Sequence, residues 1–108
     1  MAKRDLILLA LEDSSITKMM DNVMHAVRYE TAIATDTAAL SRILQESNAA
    51  LLLLGENFDG YDGLKISQEL LERFPTLPIL IYTQKPSVEL TRGIFRLGLS
   101  GYISPPLK

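Results

Sequence analysis

Runs of apolar residues alternate along this chain with segments whose apolar positions recur every three or four residues. Residues 5–11, 49–54 and 78–82 are almost continuously apolar, which is typical of strands that are buried on both faces. Two shorter β-prone runs occupy residues 30–34 and 101–104. The pattern therefore predicts five strands, of which three lie in the middle of a covered sheet.

The four intervening segments have helical periodicity. The first follows Ser14 or Ser15, either of which can cap it, and the second follows the cap-forming residues 35–37. The third spans residues 64–74 and stops at Pro75, and the fourth extends from a Ser87 cap to Leu97. Residues 55–63 between strand and helix have the composition of a loop.

A β-α unit repeated four times and closed by a strand indicates an α/β fold with a parallel sheet covered by helices. Ligands of such sheets bind beyond the carboxyl ends of the strands. The positions that we examine for function are those that follow the strands, namely Glu12 and Asp13, residues 55–57, Thr83 and Gln84, and residues 104–106.

Composition narrows the class of protein. The 108 residues suit a single domain, 1–108, and the 11 Lys and Arg are dispersed in a chain of net charge −2, unlike a nucleic-acid-binding face. The apolar runs are too short to span a membrane. Because the chain has no cysteine, disulfides and thiolate metal sites are excluded, and a cytoplasmic location is expected.

Four motifs in this order resemble the receiver domain of two-component response regulators. They are the acidic pair in Leu11-Glu12-Asp13, the Asp62-Gly63 pair, the strand 78–82 followed by Thr83, and Gly101-Tyr102-Ile103. The resemblance covers essentially the whole chain. It implies a flavodoxin-like, CheY-like domain with strand order 2-1-3-4-5, and a chain that stops before the family's fifth helix.

Two positions depart from the family pattern. The phosphate-accepting aspartate of the family lies seven residues before the Asp of the Asp-Gly pair, where this chain has Gly55. The family's lysine after the fifth strand is replaced by Pro105. Glycine offers no nucleophile and proline no cation, so the resemblance implies a degenerate pseudo-receiver that is not phosphorylated on aspartate.

Other carboxylates give an alternative. Glu56 is adjacent to Gly55, but alternation along a strand predicts that its side chain points away from the pocket. Asp59 lies in what we expect to be a flexible loop. Phosphorylation on either displaced carboxylate is the rival hypothesis within the same family.

The resemblance also implies a metal site and a switch. Glu12, Asp13 and the backbone carbonyl of Asn57 match the family's magnesium ligands, so we expect either weakly bound magnesium or no cofactor. The alternative is a solvated acidic pair beside a helix N-terminus. Thr83 and Tyr102 resemble the family's switch pair, or are simply a strand end and an edge tyrosine.

The function expected from these residues is protein–protein signalling rather than catalysis. The expected partners are a histidine kinase, an output domain or another regulator, without nucleic acid or membrane, and the uncovered sheet also allows a homodimer. An enzyme or small-ligand binder that uses Glu12 and Asp13, with Lys85 as the nearby cation, is the alternative of another class. The predicted interaction face consists of Glu89, Arg92, Phe95, Arg96 and Tyr102.

Overall fold

Strands and helices alternate along the chain in the computed structural model, which describes residues 5–105. The elements are β1 (Leu6–Ala10), α1 (Ser14–Ala26), β2 (Glu30–Ile33), α2 (Thr37–Glu46), β3 (Ala49–Gly55), β4 (Asn57–Phe58), β5 (Tyr61–Asp62), α3 (Gly63–Arg73), β6 (Ile79–Tyr82), α4 (Val88–Leu97) and β7 (Gly101–Ile103). All five predicted strands and all four predicted helices are present, with ends that shift by a few residues.

Five of the strands form one parallel sheet in the order β2-β1-β3-β6-β7. Without the two short strands β4 and β5 this is the predicted order 2-1-3-4-5, so the flavodoxin-like fold is confirmed. β1 and β3 lie in the middle, where Leu8 is paired with Ala32 on one side and with Leu52 on the other. The order reverses between β1 and β3, which places a crevice at their carboxyl ends.

Each helix begins at a polar side chain that accepts backbone N–H groups. Asp36 Oδ1 accepts from Ala39 N at 2.7 Å and Ser87 Oγ accepts from Leu90 N at 3.0 Å, as the sequence predicts. The expected Ser14 or Ser15 cap of α1 is wrong. Asp13 caps this helix instead, because its extended backbone lets one carboxylate reach the N–H groups of the first turn.

The core has two layers, one on each face of the sheet. Helices α2, α3 and α4 pack on one face, where the buried strand residues are Leu8, Ala10, Leu52, Leu54, Ile79 and Ile81. On the other face α1 packs through Met20 against Ile7, Leu9, Leu53 and Tyr82. Successive strand residues alternate between the layers, which explains why these strands are apolar throughout.

The segment predicted as a loop contains a small hairpin, so that part of the prediction is wrong. Residues Asn57–Phe58 pair antiparallel with Tyr61–Asp62 across the Asp59-Gly60 dipeptide. Both turn residues have positive φ, 54° for Asp59 and 79° for Gly60. This is the backbone of a tight hairpin turn that favours Asp-Gly. Within residues 5–105 no helix has the length and apolar character needed to cross a membrane.

Candidate functional site

A cleft of about 290 Å³ lies at the carboxyl ends of β1, β3 and β6, where the topology predicts a ligand site. Its polar lining comes from the predicted positions after these strands: Glu12, Asp13, Glu56, Asn57, Thr83 and Gln84. Gly55 forms the floor as the last residue of β3. The structure therefore brings the acidic pair, the residue predicted to match the phosphoacceptor and the first of the two predicted switch residues to one place.

Gly55 is buried, and the space beside its Cα is already occupied. A Cβ atom at this position would lie 2.8 Å from the carbonyl oxygen of Asn57 and 3.8 Å from that of Ala10. The first separation is shorter than any ordinary Cβ contact, so a larger side chain requires the backbone at Asn57 to move. The backbone around the cleft thus leaves no space for a Cβ atom at residue 55.

The expectation that Glu56 points away from the cleft is wrong. Its carboxylate Oε1 accepts a hydrogen bond from the Thr83 hydroxyl at 2.5 Å. Strand β3 ends at Gly55, and Glu56 N donates to Tyr82 O at 2.8 Å while Glu56 O accepts from Gly63 N at 2.7 Å. Because the chain turns here, the alternation of faces that holds within a strand no longer sets the direction of the side chain.

Asp59 and Lys85 do not contribute side chains to the cleft lining. Asp59 lies in the turn of the β4–β5 hairpin, and its Oδ2 accepts from Thr37 N at 3.0 Å and from Thr37 Oγ1 at 3.2 Å. It joins the hairpin to the start of α2. The backbone N–H of Lys85 donates a hydrogen bond to Thr83 Oγ1 at 3.2 Å.

The acidic pair fits a magnesium ion poorly. Asp13 Oδ1 already accepts from Ser15 N at 2.8 Å, from Ser15 Oγ at 2.7 Å and from Ile16 N at 3.2 Å. The Ser15 hydroxyl and then these two backbone N–H groups hold the pKa of Asp13 below its ordinary value of 3.8. In residues 5–105 no three His, Cys, Asp or Glu side chains are grouped so as to hold a metal ion. Glu12, Asp13 and one carbonyl would supply only part of an oxygen octahedron, and water would have to complete it.

The two predicted switch residues are on neighbouring strands. Thr83 is 1% exposed, and its N–H donates to Ile103 O at 3.0 Å, which joins the end of β6 to β7. Tyr102 is paired with Ile81 in the β6–β7 register and is 41% exposed. Pro105 follows β7 in an exposed bend and places no side chain in the cleft. Residues 106–108 lie outside the described part of the chain.

A second concave surface, which we call the α4–β7 groove, is formed by Pro86, Ser87, Val88, Thr91, Arg92, Phe95 and Tyr102. It encloses about 590 Å³. Phe95 is 88% and Val88 68% exposed, which is unusual for large apolar side chains on a short helix. Glu89 and Arg96 are also exposed on α4. Sequence reasoning named Arg92, Phe95 and Tyr102 individually and the helix from Val88 onward as the surface, but it did not include Pro86 and Ser87, which precede the helix.

The fold and the position of the cleft are those of a receiver domain. The chain belongs to the response regulator receiver domain family, whose pattern it matches over residues 7–108. Members of this family are signalling domains. The structure resembles that of the chemotaxis protein CheY4 of Vibrio cholerae, with a TM-score of 0.88 at 20% identity, covering 98% of this chain and 90% of that one. It also resembles the receiver domain of the response regulator TorR, with a TM-score of 0.85 at 21% identity, covering 96% and 86% of the two chains.

Two curated relatives are similar in sequence over almost all of this chain. The transcriptional regulatory protein TctD of Salmonella typhimurium is 26% identical over 103 residues, which are 94% of this chain and 46% of TctD. The aerobic respiration control protein ArcA of Escherichia coli is 27% identical over 100 residues, which are 92% of this chain and 42% of ArcA. The chain thus spans less than half the length of these relatives.

We expect Gly63→Ala to destabilise the domain strongly. The added Cβ would lie 2.3 Å from Gly55 O and 3.1 Å from Glu56 O, both backbone atoms that cannot move independently of the sheet. Such overpacking costs about 3 kcal/mol of unfolding free energy, which urea denaturation measures. The matched control is Gly98→Ala, where φ is +74° but no atom lies within 4 Å, so that only the backbone cost of about 1 kcal/mol applies. A smaller loss for Gly63→Ala than for Gly98→Ala would contradict the packing argument.

We expect Ser15→Ala to raise the pKa of Asp13 back toward 3.8, because the Ser15 hydroxyl is the largest cause of its depression. A carboxyl whose pKa is lower in the folded state stabilises that state above pH 3.8, and loses this effect as the pH falls through the lowered pKa. Carboxyl NMR titration of the wild type and the variant measures the shift. Ser14→Ala is the control and should leave the titration unchanged; equal shifts in both variants would argue against the assigned cause.

Proposed function

We propose that this domain transmits signals through protein contacts and is not phosphorylated on aspartate. The observation that carries this proposal is the Asn57 carbonyl oxygen, which lies 2.8 Å from the position of a Cβ at Gly55. An acyl phosphate requires a carboxylate nucleophile. The residue at the matching position has no side chain, and the surrounding backbone leaves no room for one.

The charge of the cleft supports the same conclusion. Glu12, Asp13 and Glu56 all line it, and no Lys, Arg or His side chain does so within the described residues. A phosphate donor is an anion, which this arrangement repels. Pro105 follows β7 where the family has its lysine, so residue 105 itself supplies no cation. Weak magnesium binding at Glu12 and Asp13 would reduce the repulsion without creating a nucleophile.

The α4–β7 groove is the proposed docking surface. Phe95 and Val88 present large apolar side chains to solvent, and Tyr102 adds an aromatic ring from the neighbouring strand. Aromatic and arginine side chains are the residues that most often dominate binding energy in protein interfaces. Arg92 lines the groove and Arg96 lies four residues further along the same helix.

The charges on α4 are compatible with a second copy of the chain as a partner. Glu89 and Arg96 stand about two turns apart on the exposed part of the helix. A two-fold axis that places two α4 helices antiparallel would bring Glu89 of each copy opposite Arg96 of the other. A histidine kinase, an output domain or another regulator could use the same apolar surface, and the relatives TctD and ArcA are themselves regulatory proteins.

We expect no phosphoryl adduct after incubation of the purified domain with acetyl phosphate and magnesium, as measured by intact-mass spectrometry. A receiver domain that has an aspartate at the acceptor position is treated in parallel as the positive control. An adduct on this chain that disappears in Glu56→Gln would show instead that Glu56 is a displaced phosphoacceptor. An adduct that persists in Glu56→Gln and maps to another acidic residue would equally contradict the proposal.

We expect self-association through the groove to weaken at least about tenfold in Phe95→Ser, since truncating a central interface aromatic costs more than ~1.4 kcal/mol. Sedimentation velocity over a concentration series measures it. Val23→Ser is the matched control, because Val23 is an exposed apolar residue of α1 and lies outside the groove. A strictly monomeric wild type would exclude the second copy as the partner, and an effect of Val23→Ser alone would place the interface on α1.

A further inference from the structure

We propose that Glu56 is a positioning residue that holds Thr83 in place without phosphate, and so fixes the connection from β6 to α4. This inference rests on the function proposed above, in which no phosphoryl group reaches the cleft. Its basis is the hydrogen bond of 2.5 Å from the Thr83 hydroxyl to Glu56 Oε1. A hydrogen bond to an ionised carboxylate is shorter and stronger than one between neutral groups.

The Thr83 hydroxyl takes part in two hydrogen bonds, one as donor and one as acceptor. It has a single proton to donate, which goes to Glu56, and it accepts the backbone N–H of Lys85 at 3.2 Å. Thr83 is 1% exposed, so water does not compete for this proton. Loss of the Glu56 carboxylate would therefore remove the acceptor of this hydroxyl and open it to the cleft, which favours a change of rotamer and of the backbone that bonds to it.

Glu56 is itself held from two sides. Its N–H donates to Tyr82 O at 2.8 Å, and its carbonyl accepts from Gly63 N at 2.7 Å. These bonds attach it to the end of β6 and to the start of α3. The carboxylate is thus presented to Thr83 from a fixed backbone, and little side-chain freedom remains to be lost when the contact forms.

The Glu56–Thr83 hydrogen bond is connected along the chain to the proposed docking surface. Thr83 fixes Lys85 N, and two residues later Ser87 caps α4 by accepting from Leu90 N at 3.0 Å. Val88 and Phe95, which line the α4–β7 groove, belong to that helix. In this chain a resident carboxylate supplies the acceptor for the threonine at the switch position. The Glu56–Thr83 hydrogen bond therefore keeps the α4–β7 groove in a single conformation.

The test measures amide hydrogen exchange by NMR in the complete 108-residue chain. Glu56→Ala should speed exchange of the Lys85 and Leu90 amides about tenfold, the effect of losing one charge-assisted hydrogen bond. Thr83→Val should speed it at least as much, because it also removes the acceptor of the Lys85 N–H. The double variant should show no further increase over Thr83→Val, which already removes the bond to Glu56. Thr83→Ser keeps the hydroxyl and should retain the protection of the wild type.

Glu12→Ala is the matched control, since it removes another carboxylate of the same cleft that has no contact with Thr83. Exchange in β1 reports whether a variant has lost global stability instead of this local contact. Wild-type exchange at Lys85 in Glu56→Ala, an additive double variant, or an equal effect of Glu12→Ala would each overturn the inference. A phosphoryl adduct in the mass experiment would reject the proposed function but leave the exchange results interpretable, so the two failures are distinguishable.

Discussion

The close approach of the backbone at Gly63 to residues 55 and 56 is the constraint on which the cleft depends. Gly63 N donates to Glu56 O at 2.7 Å, and a Cβ at Gly63 would lie 2.3 Å from Gly55 O. Only glycine permits this contact. It brings the chain back over the sheet edge immediately after β3, with the Asp59-Gly60 hairpin between the two points. Helix α3 then starts at Gly63 itself, so one contact sets both the loop and the helix.

This tight turn after β3 determines which groups face the cleft. The short loop places the Asn57 carbonyl beside Gly55 and directs Glu56 toward Thr83. The carboxylate that accepts from Thr83 is therefore not at the end of β3 but one residue beyond it, at Glu56. Asp13 is similarly engaged as the cap of α1. Two of the three acidic groups of the cleft, Asp13 and Glu56, are thus engaged in hydrogen bonds within the protein.

The fold could be predicted from the sequence because burial on both faces gives β1, β3 and β6 long apolar runs that few other structures require. The strand order came from the family resemblance and agrees with the structure. The wrong predictions concern residues just beyond the ends of strands and helices, where the rules for regular structure no longer apply. Alternation predicts the direction of a side chain only within a strand, and Glu56 lies just after one. At α1, the prediction considered Ser14 and Ser15 as caps, whereas the extended backbone of Asp13 makes this preceding residue the cap.

The burial of Thr83 also links Glu56 to the docking surface on α4. A threonine hydroxyl that is 1% exposed must find a partner inside the protein, whatever signal the domain carries. With glycine at residue 55 no side-chain acceptor comes from the end of β3, and the next residue, Glu56, provides one. The same turn that removes space for an acceptor at residue 55 thus supplies Thr83 with another. Glycine at residue 55 and an ordered β6–α4 connection are therefore compatible in one structure.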